Sequence, residues 1–156
     1  MSWVYSCGAG ANYGTALESA LKMGETIHIP SCCYEIEEYI HGPNLQLTPQ
    51  YNVIFFDGND GASRRVEQVY KATRKVTNRA YLISNNPQLS RDGHVLSLSD
   101  TVSSELSPLV YLPFVQLLSF IVSNDLHSIY QHPLLKEFKA IAAAKTENFV
   151  NYDGDD

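Results

Sequence analysis

Basic residues are few in this sequence, and they are not clustered. The chain has 11 Lys and Arg against 17 Asp and Glu, which gives a net charge of −6. Binding to nucleic acid or to an anionic membrane surface requires clustered Lys and Arg. We therefore expect neither nucleic acid nor membrane as a partner. A phosphorylated small molecule is not excluded, because backbone amides and hydroxyls can bind a phosphate without a basic surface.

Cysteine is also scarce. The three cysteines are Cys7, Cys32 and Cys33. Adjacent cysteines bridge poorly, and the sequence has no paired Cys/His spacing of the kind that binds zinc. The pattern predicts three reduced thiols in a cytoplasmic protein, with no metal site.

No stretch of the sequence predicts a signal peptide or a membrane span. The N-terminus lacks a basic segment followed by an apolar run. The most apolar stretch, residues 109–122, is interrupted by proline and polar residues and is too short to span a bilayer. We interpret it as a buried helix that begins with Ser107 as its N-cap and Pro108 at its first position.

Short apolar runs alternate with helical patterns along the chain, whose 156 residues suit a single domain. They predict strands at residues 3–7, 27–29, 53–56, 80–83 and 94–98, and helices at about 13–26, 35–40, 63–77, 108–123 and 134–145. This alternation implies a parallel sheet with helices on both faces. Such sheets bind ligands beyond the carboxyl ends of their strands, here the loops after residues 7, 30, 56 and 84.

Glu18, Lys22 and Glu25 are spaced at i, i+4 and i+7, so they share one face of the first predicted helix. One interpretation is an ordinary surface helix with ion pairs. The other is a proton-transfer site near the ligand edge of the sheet. Gly24 favours the second, because it weakens the helix directly before Glu25. His41, which precedes a Gly-Pro pair, supplies an imidazole shortly afterwards.

Three glycines follow the first predicted strand in the pattern Gly8-x-Gly10-x-x-x-Gly14. They resemble a dinucleotide-binding loop only superficially, since the third glycine is displaced and no acidic residue ends the second predicted strand. We interpret them as allowing close backbone approach, to a sugar or to a neighbouring subunit.

Two motifs carry a resemblance to a known family. The chain has A-L-E-x-A-L-K-x-x-E at residues 16–25 and E-x-x-H-G-P at residues 38–43, after the glycine-rich loop. In these motifs and their separation it resembles sugar isomerase (SIS) domains. The resemblance is to the second SIS half of glutamine–fructose-6-phosphate aminotransferases and fructosamine-6-phosphate deglycases. It implies one SIS domain at residues 1–130, followed by a C-terminal helix and acidic tail at residues 131–156.

The resemblance also implies a fold and a set of roles. The fold is a three-layer αβα sandwich with a mostly parallel, flavodoxin-like sheet of five strands. Glu25 is implied as the catalytic base that moves a proton between C1 and C2 of an opened sugar phosphate. His41 is implied as a second catalytic residue, which assists ring opening and reaches the site of a neighbouring subunit. Glu18 and Lys22 are implied to line the substrate site, and no cofactor is needed.

The sequence departs from the family pattern in two places. The S-x-S-G-x-T loop that binds phosphate in the first SIS half is absent, and residues 31–33 are a poor substitute for it. The family's C-terminal catalytic lysine has no clear equivalent, although Lys139 or Lys145 could serve. The chain is therefore a fragment, one of two separate halves, or a pseudo-enzyme, and we favour the fragment.

Two hypotheses follow from these observations. The first is a phosphosugar isomerase or deglycase that acts on a ketose 6-phosphate or an amino-sugar phosphate derivative. It works as a homodimer or with a first SIS half. The second is a sugar-phosphate-binding or dimerisation module without catalysis, which the missing phosphate loop favours. An unrelated nucleotide-binding domain is a third and weaker hypothesis.

Overall fold

The computed structural model describes residues 3–89, 92–98, 102–128 and 141. In these residues strands and helices alternate: β1 Trp3–Gly8, α1 Asn12–Lys22, β2 Ser31–Glu35, α2 Ile36–Ile40, β3 Tyr51–Asp57, α3 Ser63–Thr73, β4 Ala80–Ser84, β5 Val95–Ser97 and α4 Ser107–Asp125. A π-helical turn, Met23–Ile27, continues α1. The helix predicted at 134–145 and the domain boundary predicted at residue 130 lie outside the described residues, apart from residue 141.

The five strands form a single parallel sheet in the order β2–β1–β3–β4–β5. Tyr5 of β1, for example, pairs with Cys32 of β2 on one side and with Val53 of β3 on the other. This is the flavodoxin-like order. Because helices cover both faces, the predicted three-layer αβα fold is confirmed.

Side chains of the strands alternate between the two faces of the sheet. One face packs against α1 and α4, and its buried strand residues are Val4, Ile54, Phe56 and Ile83. The other face packs against α2 and α3, and its buried strand residues are Tyr5, Cys7, Val53, Phe55, Ala80 and Leu82. The helices therefore form two layers, α1 with α4 and α2 with α3.

α1 and α4 lie side by side and are joined near both ends. Asn12 Nδ2 donates a hydrogen bond of 2.8 Å to Ser107 Oγ where the two helices begin. Ser128 Oγ donates one of 2.6 Å to the carbonyl oxygen of Thr26 where they end. Ser107 itself is inside the helix, whose N-cap position is Leu106 without a side-chain cap, so the predicted role of Ser107 as N-cap is wrong.

The second strand is not where the sequence predicts it. Ile27 is buried at the end of the π-helical turn, and His28 follows in a left-handed conformation with φ of 60°. The strand is Ser31–Glu35 instead, an edge strand without a continuous apolar run. Residues 31–33 thus lie inside β2 and form no loop. The loop at Pro30 precedes this strand, so it lies at the amino edge of the sheet, contrary to the prediction.

α4 is longer and more exposed than the predicted helix. Together with the turn before it, it spans Ser104–Asp125, 22 residues that are long and apolar enough to cross a membrane by length and composition, and only 28% of its apolar window is buried. The predictions of a segment too short to span and of a buried helix were both wrong. Its inner side still belongs to the core, because Tyr111 and Val115 are buried against the sheet.

Candidate functional site

Glu18, Lys22 and Glu25 come together on the outer side of α1 and the turn that follows it. Lys22 Nζ lies 2.8 Å from Glu25 Oε2 and 3.5 Å from Glu18 Oε1. The hydrogen bond to Glu25 raises the pKa of Lys22, so the ammonium between the two carboxylates stays charged. The side chains of Lys22, Glu18 and Glu25 are 29%, 30% and 50% exposed. The predicted cluster therefore exists and is open to solvent.

The end of α1 is irregular where Glu25 stands. Residues Met23–Ile27 form a π-helical turn, and the hydroxyl of Thr26 donates a hydrogen bond of 2.7 Å to the carbonyl oxygen of Lys22. The backbone N–H of His28 donates to the carbonyl oxygen of Gly24 at 3.2 Å and closes the turn. Single π-helical turns within α-helices are rare and are frequent at functional sites. In the sequence, only Gly24 indicates that the helix is irregular at this point.

The cluster lies toward the amino edge of the sheet. α1 begins after the carboxyl end of β1 and runs back toward the start of β2 at Ser31. Glu25 lies in the π-helical turn that continues α1 toward this edge. The position near the carboxyl edge that the sequence predicts for the cluster is wrong, because the prediction follows the usual ligand position and not the direction of the crossover helix.

His41 ends α2, where its backbone N–H donates to the carbonyl oxygen of Glu38 at 3.1 Å. Its side chain is exposed. α2 belongs to the α2–α3 layer, whereas Glu25 follows α1 on the other face of the sheet. Within one copy the structure does not bring Glu25 and His41 together.

A buried polar cluster that the sequence analysis missed lies at the carboxyl edge. Asp57, the last residue of β3, accepts hydrogen bonds of 2.7 Å from Ser84 Oγ and 2.5 Å from Ser63 Oγ. Its carbonyl oxygen accepts a hydrogen bond of 2.7 Å from Tyr111 OH. Burial raises the pKa of Tyr111 to about 12, which keeps this hydroxyl a donor. Both oxygens of the carboxylate are occupied, so the cluster fixes the loops at this edge and α4 in place.

The glycines at this edge allow close approach within the chain. A Cβ at Gly8 would lie 2.3 Å from the carbonyl oxygen of Asn12, and one at Gly58 would lie 2.8 Å from Asn12 Nδ2. Gly10 has a φ of 54°, which favours glycine. For Gly8 the approaching backbone is thus the first turn of α1, so Gly8 and Gly10 have a structural explanation that needs neither a sugar nor a neighbouring subunit. A Cβ at Gly14 would have nothing within 4 Å, so close approach within the chain does not explain this third glycine.

Two cavities in the described part of the chain lie away from the cluster. One of about 360 Å³ opens at the amino edge beneath α4, between apolar walls that include Tyr81, Leu96 and Leu118. Another of about 290 Å³ lies beside α2 and α3. None of the predicted site residues lines either cavity, so the cluster faces outward. Among the described residues no group of three or more His, Cys, Asp or Glu could hold a metal ion.

The cysteines are free in the structure. Cys7 is buried, Cys32 is exposed and Cys33 is intermediate. Burial raises the pKa of both Cys7 and Cys33, so these two thiols are less ionised than an ordinary cysteine.

No family model matches the chain. The sequence is 31% identical over 122 residues to glutamine–fructose-6-phosphate aminotransferase [isomerizing] of Methanothermobacter thermautotrophicus, a match that covers 76% of this chain and 20% of the relative. Tagatose-6-phosphate ketose/aldose isomerase of Escherichia coli superposes with a TM-score of 0.73 at 17% identity, over 80% of this chain and 36% of that one. The C-terminal domain of glucosamine-fructose-6-phosphate aminotransferase of Francisella tularensis superposes with a TM-score of 0.67 at 24% identity, over 79% and 35%. The chain spans about a fifth of the length of its curated relative.

Proposed function

We propose that this chain, which is a sugar isomerase (SIS) domain resembling the isomerase half of glutamine–fructose-6-phosphate aminotransferase, supplies the proton-transfer residues of a phosphosugar isomerase or deglycase. Its substrate is a ketose 6-phosphate or an amino derivative of one. The protein acts in the cytoplasm, and nucleic acid and membranes are not its partners.

The position of Lys22 between Glu18 and Glu25 is the observation that supports this proposal most. In the proposed reaction Glu25 removes a proton from C1 of the open-chain ketose and returns it to C2, while the hydroxyl proton passes from O1 to O2, so that the carbonyl moves from C2 to C1. The intermediate is an enediol that develops negative charge on oxygen. Lys22 stabilises that charge, and Glu18 holds Lys22 in place and lines the site. Proton transfer of this kind requires no metal or organic cofactor.

The same proton transfer leads to deglycation when the substrate is a fructosamine 6-phosphate. Glu25 removes a C1 proton to give an enaminol, and reprotonation at C2 gives the imine of glucose 6-phosphate. Water then adds to the imine carbon and the carbon–nitrogen bond breaks. The products are glucose 6-phosphate and the free amine, and no electron acceptor is consumed.

Other chains complete the proposed site. His41 lies in the opposite helical layer from Glu25, so it assists ring opening in the site of a neighbouring copy. The phosphate requires hydroxyls and amides that the S-x-S-G-x-T loop would provide, and a first SIS half supplies that loop. We therefore infer a homodimer, or a pairing with a first SIS half.

Hydrogen exchange into the sugar tests the catalytic role. The chain, alone and with any first SIS half encoded beside it, is incubated in D₂O with fructose 6-phosphate or a fructosamine 6-phosphate. Deuterium at C1 and C2 is measured by NMR and glucose 6-phosphate by a coupled assay. Glu25→Gln is expected to lower exchange by about 10³-fold, in the usual range for loss of a general base. Glu67→Gln, which removes a carboxylate from the similar Glu67–Lys71 pair on α3, is expected to leave exchange unchanged. Exchange that survives Glu25→Gln would end the proposed role.

Sugar-phosphate binding without turnover is the second candidate function. The exposure of Glu25 favours it, as does the fact that neither of the two cavities described above is lined by a residue of the cluster. Calorimetry with hexose 6-phosphates separates the cases. Binding without deuterium exchange identifies a binding module, and no binding at all contradicts this second candidate function.

A further inference from the structure

The cavity of about 290 Å³ beside α2 and α3 has the composition of a small-molecule site. Its volume is near the lower end of the range of about 300–1,000 Å³ that ligand pockets usually have. Four polar residues line it, Asn44, Arg65, Gln68 and Thr73, and the rest of its wall is apolar and comes from Tyr39, Ile40, Leu47, Val69, Ala72 and Val76. A mostly apolar wall with a few polar groups is typical of such sites.

Asn44 brings a buried hydrogen-bond acceptor to this cavity. Its Oδ1 atom is buried and has no hydrogen-bond partner in the described part of the chain. A buried acceptor without a donor destabilises the fold, so an atom of this kind calls for an explanation. A ligand that carries an O–H or N–H group would satisfy it. The larger cavity beneath α4 has no such atom among its described lining residues.

Arg65 brings a guanidinium that already holds a carboxylate. Its Nε and Nη2 atoms donate to the two carboxylate oxygens of Glu37 at 2.7 and 3.1 Å. The side chains of Arg65 and Glu37 are 42% and 51% exposed, so solvent screens this ion pair and makes it weak. The carboxylate of a ligand can therefore replace that of Glu37 at a small cost in free energy.

The surface of α3 beside the cavity is basic, although the chain as a whole is acidic. Residues 63–75 include five of the 11 Lys and Arg and a single acidic residue, so the description of the basic residues as unclustered is wrong for this helix. Arg64, Gln68 and Lys71 are spaced at i, i+4 and i+7 and share one side of α3, and Gln68 lines the cavity. The positive potential of this side attracts anions to the cavity. It is confined to one short helix, which suits a small anion better than a nucleic acid.

We propose that this cavity binds a small organic acid that has an apolar body and a hydrogen-bond donor. The carboxylate of the acid binds the guanidinium of Arg65, and its O–H or N–H group donates to Asn44 Oδ1. The apolar body lies against the apolar side chains of the wall. A neutral apolar ligand would gain nothing from Arg65, and inorganic phosphate would leave the apolar wall unused.

The cavity borders the turn that contains His41, and any effect of the acid on the reaction rests on the proposed function. Ile40 and Asn44, which lie on either side of His41 in the sequence, both line the cavity. A bound acid therefore contacts the chain on both sides of His41 and favours one position of its imidazole. The acid would then act as an effector of ring opening without entering the substrate site.

Calorimetry of the full 156-residue chain with phloretate tests the site, because this probe carries a propanoate chain, an apolar ring and a phenolic hydroxyl. Two related probes each lack one group. Hydrocinnamate has no hydroxyl, and tyrosol has an alcohol in place of the carboxylate. Each is expected to bind about 5-fold or more weakly than phloretate, as when one hydrogen bond is lost. No binding of phloretate at millimolar concentrations overturns the proposal, as does equal affinity for the three probes.

Variants of the lining separate direct contact from general attraction. Arg65→Met is expected to weaken phloretate binding by about 10-fold or more. Arg64→Met removes the same charge outside the lining and is expected to change binding by about 2-fold or less. Glu37→Gln is expected to strengthen binding by about 3-fold, because it releases the guanidinium of Arg65. Asn44→Leu is expected to abolish the preference for phloretate over hydrocinnamate. Equal binding by Arg65→Met and Arg64→Met overturns the proposal.

NMR spectroscopy locates the ligand in the wild type, so the test stays decisive if a variant fails to fold. Phloretate is expected to shift backbone amide signals of residues 39–47 and 65–76. Shifts confined to the cavity beneath α4, at Leu96 and Leu118 for example, overturn the proposal.

Binding is measured without substrate, so it is independent of catalysis. Phloretate binding by a chain that shows no deuterium exchange counts against the proposed function alone. Exchange without phloretate binding counts against this site alone, and binding that leaves the exchange rate unchanged counts against the effector role.

Discussion

α1 and α3 are two helices of equal length on opposite faces of one sheet, and only one of them borders the proposed proton-transfer cluster. Each has 11 residues and carries a Glu–Lys pair at i, i+4. They differ at their ends. α1 starts so close to β1 that only glycine fits at position 8, and it ends in a π-helical turn that adds Glu25. A Glu–Lys pair at i, i+4 therefore does not by itself distinguish a candidate site from an ordinary helix surface. The ends of α1, and the Glu25 that its last turn adds, make that distinction.

Replacing the glycine before each helix should give the largest difference. A Cβ at Gly8 would meet the backbone of Asn12 at 2.3 Å, whereas a Cβ at Gly61, just before α3, has nothing within 4 Å. Gly8→Ala is expected to lower the free energy of unfolding by about 3 kcal/mol, because backbone must move to relieve the overlap. Gly61→Ala is expected to change it by less than about 1 kcal/mol. Urea unfolding measures both, and equal midpoints would contradict the close approach.

Replacing the lysine of each Glu–Lys pair should have similar effects on stability in the two helices but different effects on activity. Lys22→Met and Lys71→Met are each expected to cost about 0.5 kcal/mol or less, since both pairs are solvent-exposed. Only Lys22→Met is expected to lower turnover, by about 10²-fold, because in the proposed reaction only that ammonium stabilises the developing enediol. Steady-state kinetics beside urea unfolding checks both values. Similar turnover in the two variants would reduce Lys22 to an ordinary surface residue.

The irregular end of α1 can be tested by making it more regular. A Cβ at Gly24 would point into open space, and the residue has no positive φ. Gly24→Ala is therefore expected to raise the free energy of unfolding by about 0.5–1 kcal/mol while it lowers turnover. Ala72→Gly, near the end of α3, is the reverse control and should lower stability by a similar amount with turnover unchanged. Loss of stability in Gly24→Ala would show that the turn itself requires glycine.

The ion pair that joins α2 to α3 should give the smallest effect, and one that depends on pH. Arg65 Nε and Nη2 donate to the Glu37 carboxylate at 2.7 and 3.1 Å, which holds the pKa of Glu37 below its usual range. A carboxylate whose pKa is lower in the folded state than in the unfolded state stabilises the fold at pH values above the ordinary glutamate pKa. This stabilisation is lost as the pH falls through the lowered pKa. Wild type and Glu37→Gln should thus differ slightly in melting temperature at neutral pH. The difference should shrink below about pH 4.3, and a difference independent of pH would exclude this pair as its source.

Local patterns predicted most of the fold. The run at residues 53–56 lies in β3, and the helical spacing of Val66, Val69 and Tyr70 gave the inner side of α3 correctly. β2 was missed because its half-exposed residues carry no periodic signal, and its position is set by pairing with β1. The exposure of α4 could not be read from composition, since an apolar helix looks the same whether or not something covers it.

The residues of the candidate site also fall into two groups, those whose arrangement a local sequence pattern predicts and those whose arrangement it does not. The spacing of Glu18, Lys22 and Glu25 is local, so the sequence predicted their meeting. The helical layer that contains His41 depends on which face of the sheet each connecting helix covers. The cluster around Asp57 joins residues from β3, β4, α3 and α4. Such arrangements depend on tertiary structure, so no short sequence motif predicts them.

The hydrogen bonds that join α1 to α4 also bear on how the chain is made. Their partners are 95 and 102 positions apart, so α1 leaves the ribosome long before the helix that secures it has been translated. Contacts of such separation slow folding. Until residue 107 emerges, the amide of Asn12 and the apolar underside of α1 stay without that support, and this interval is when a nascent chain is most open to chaperones and to aggregation.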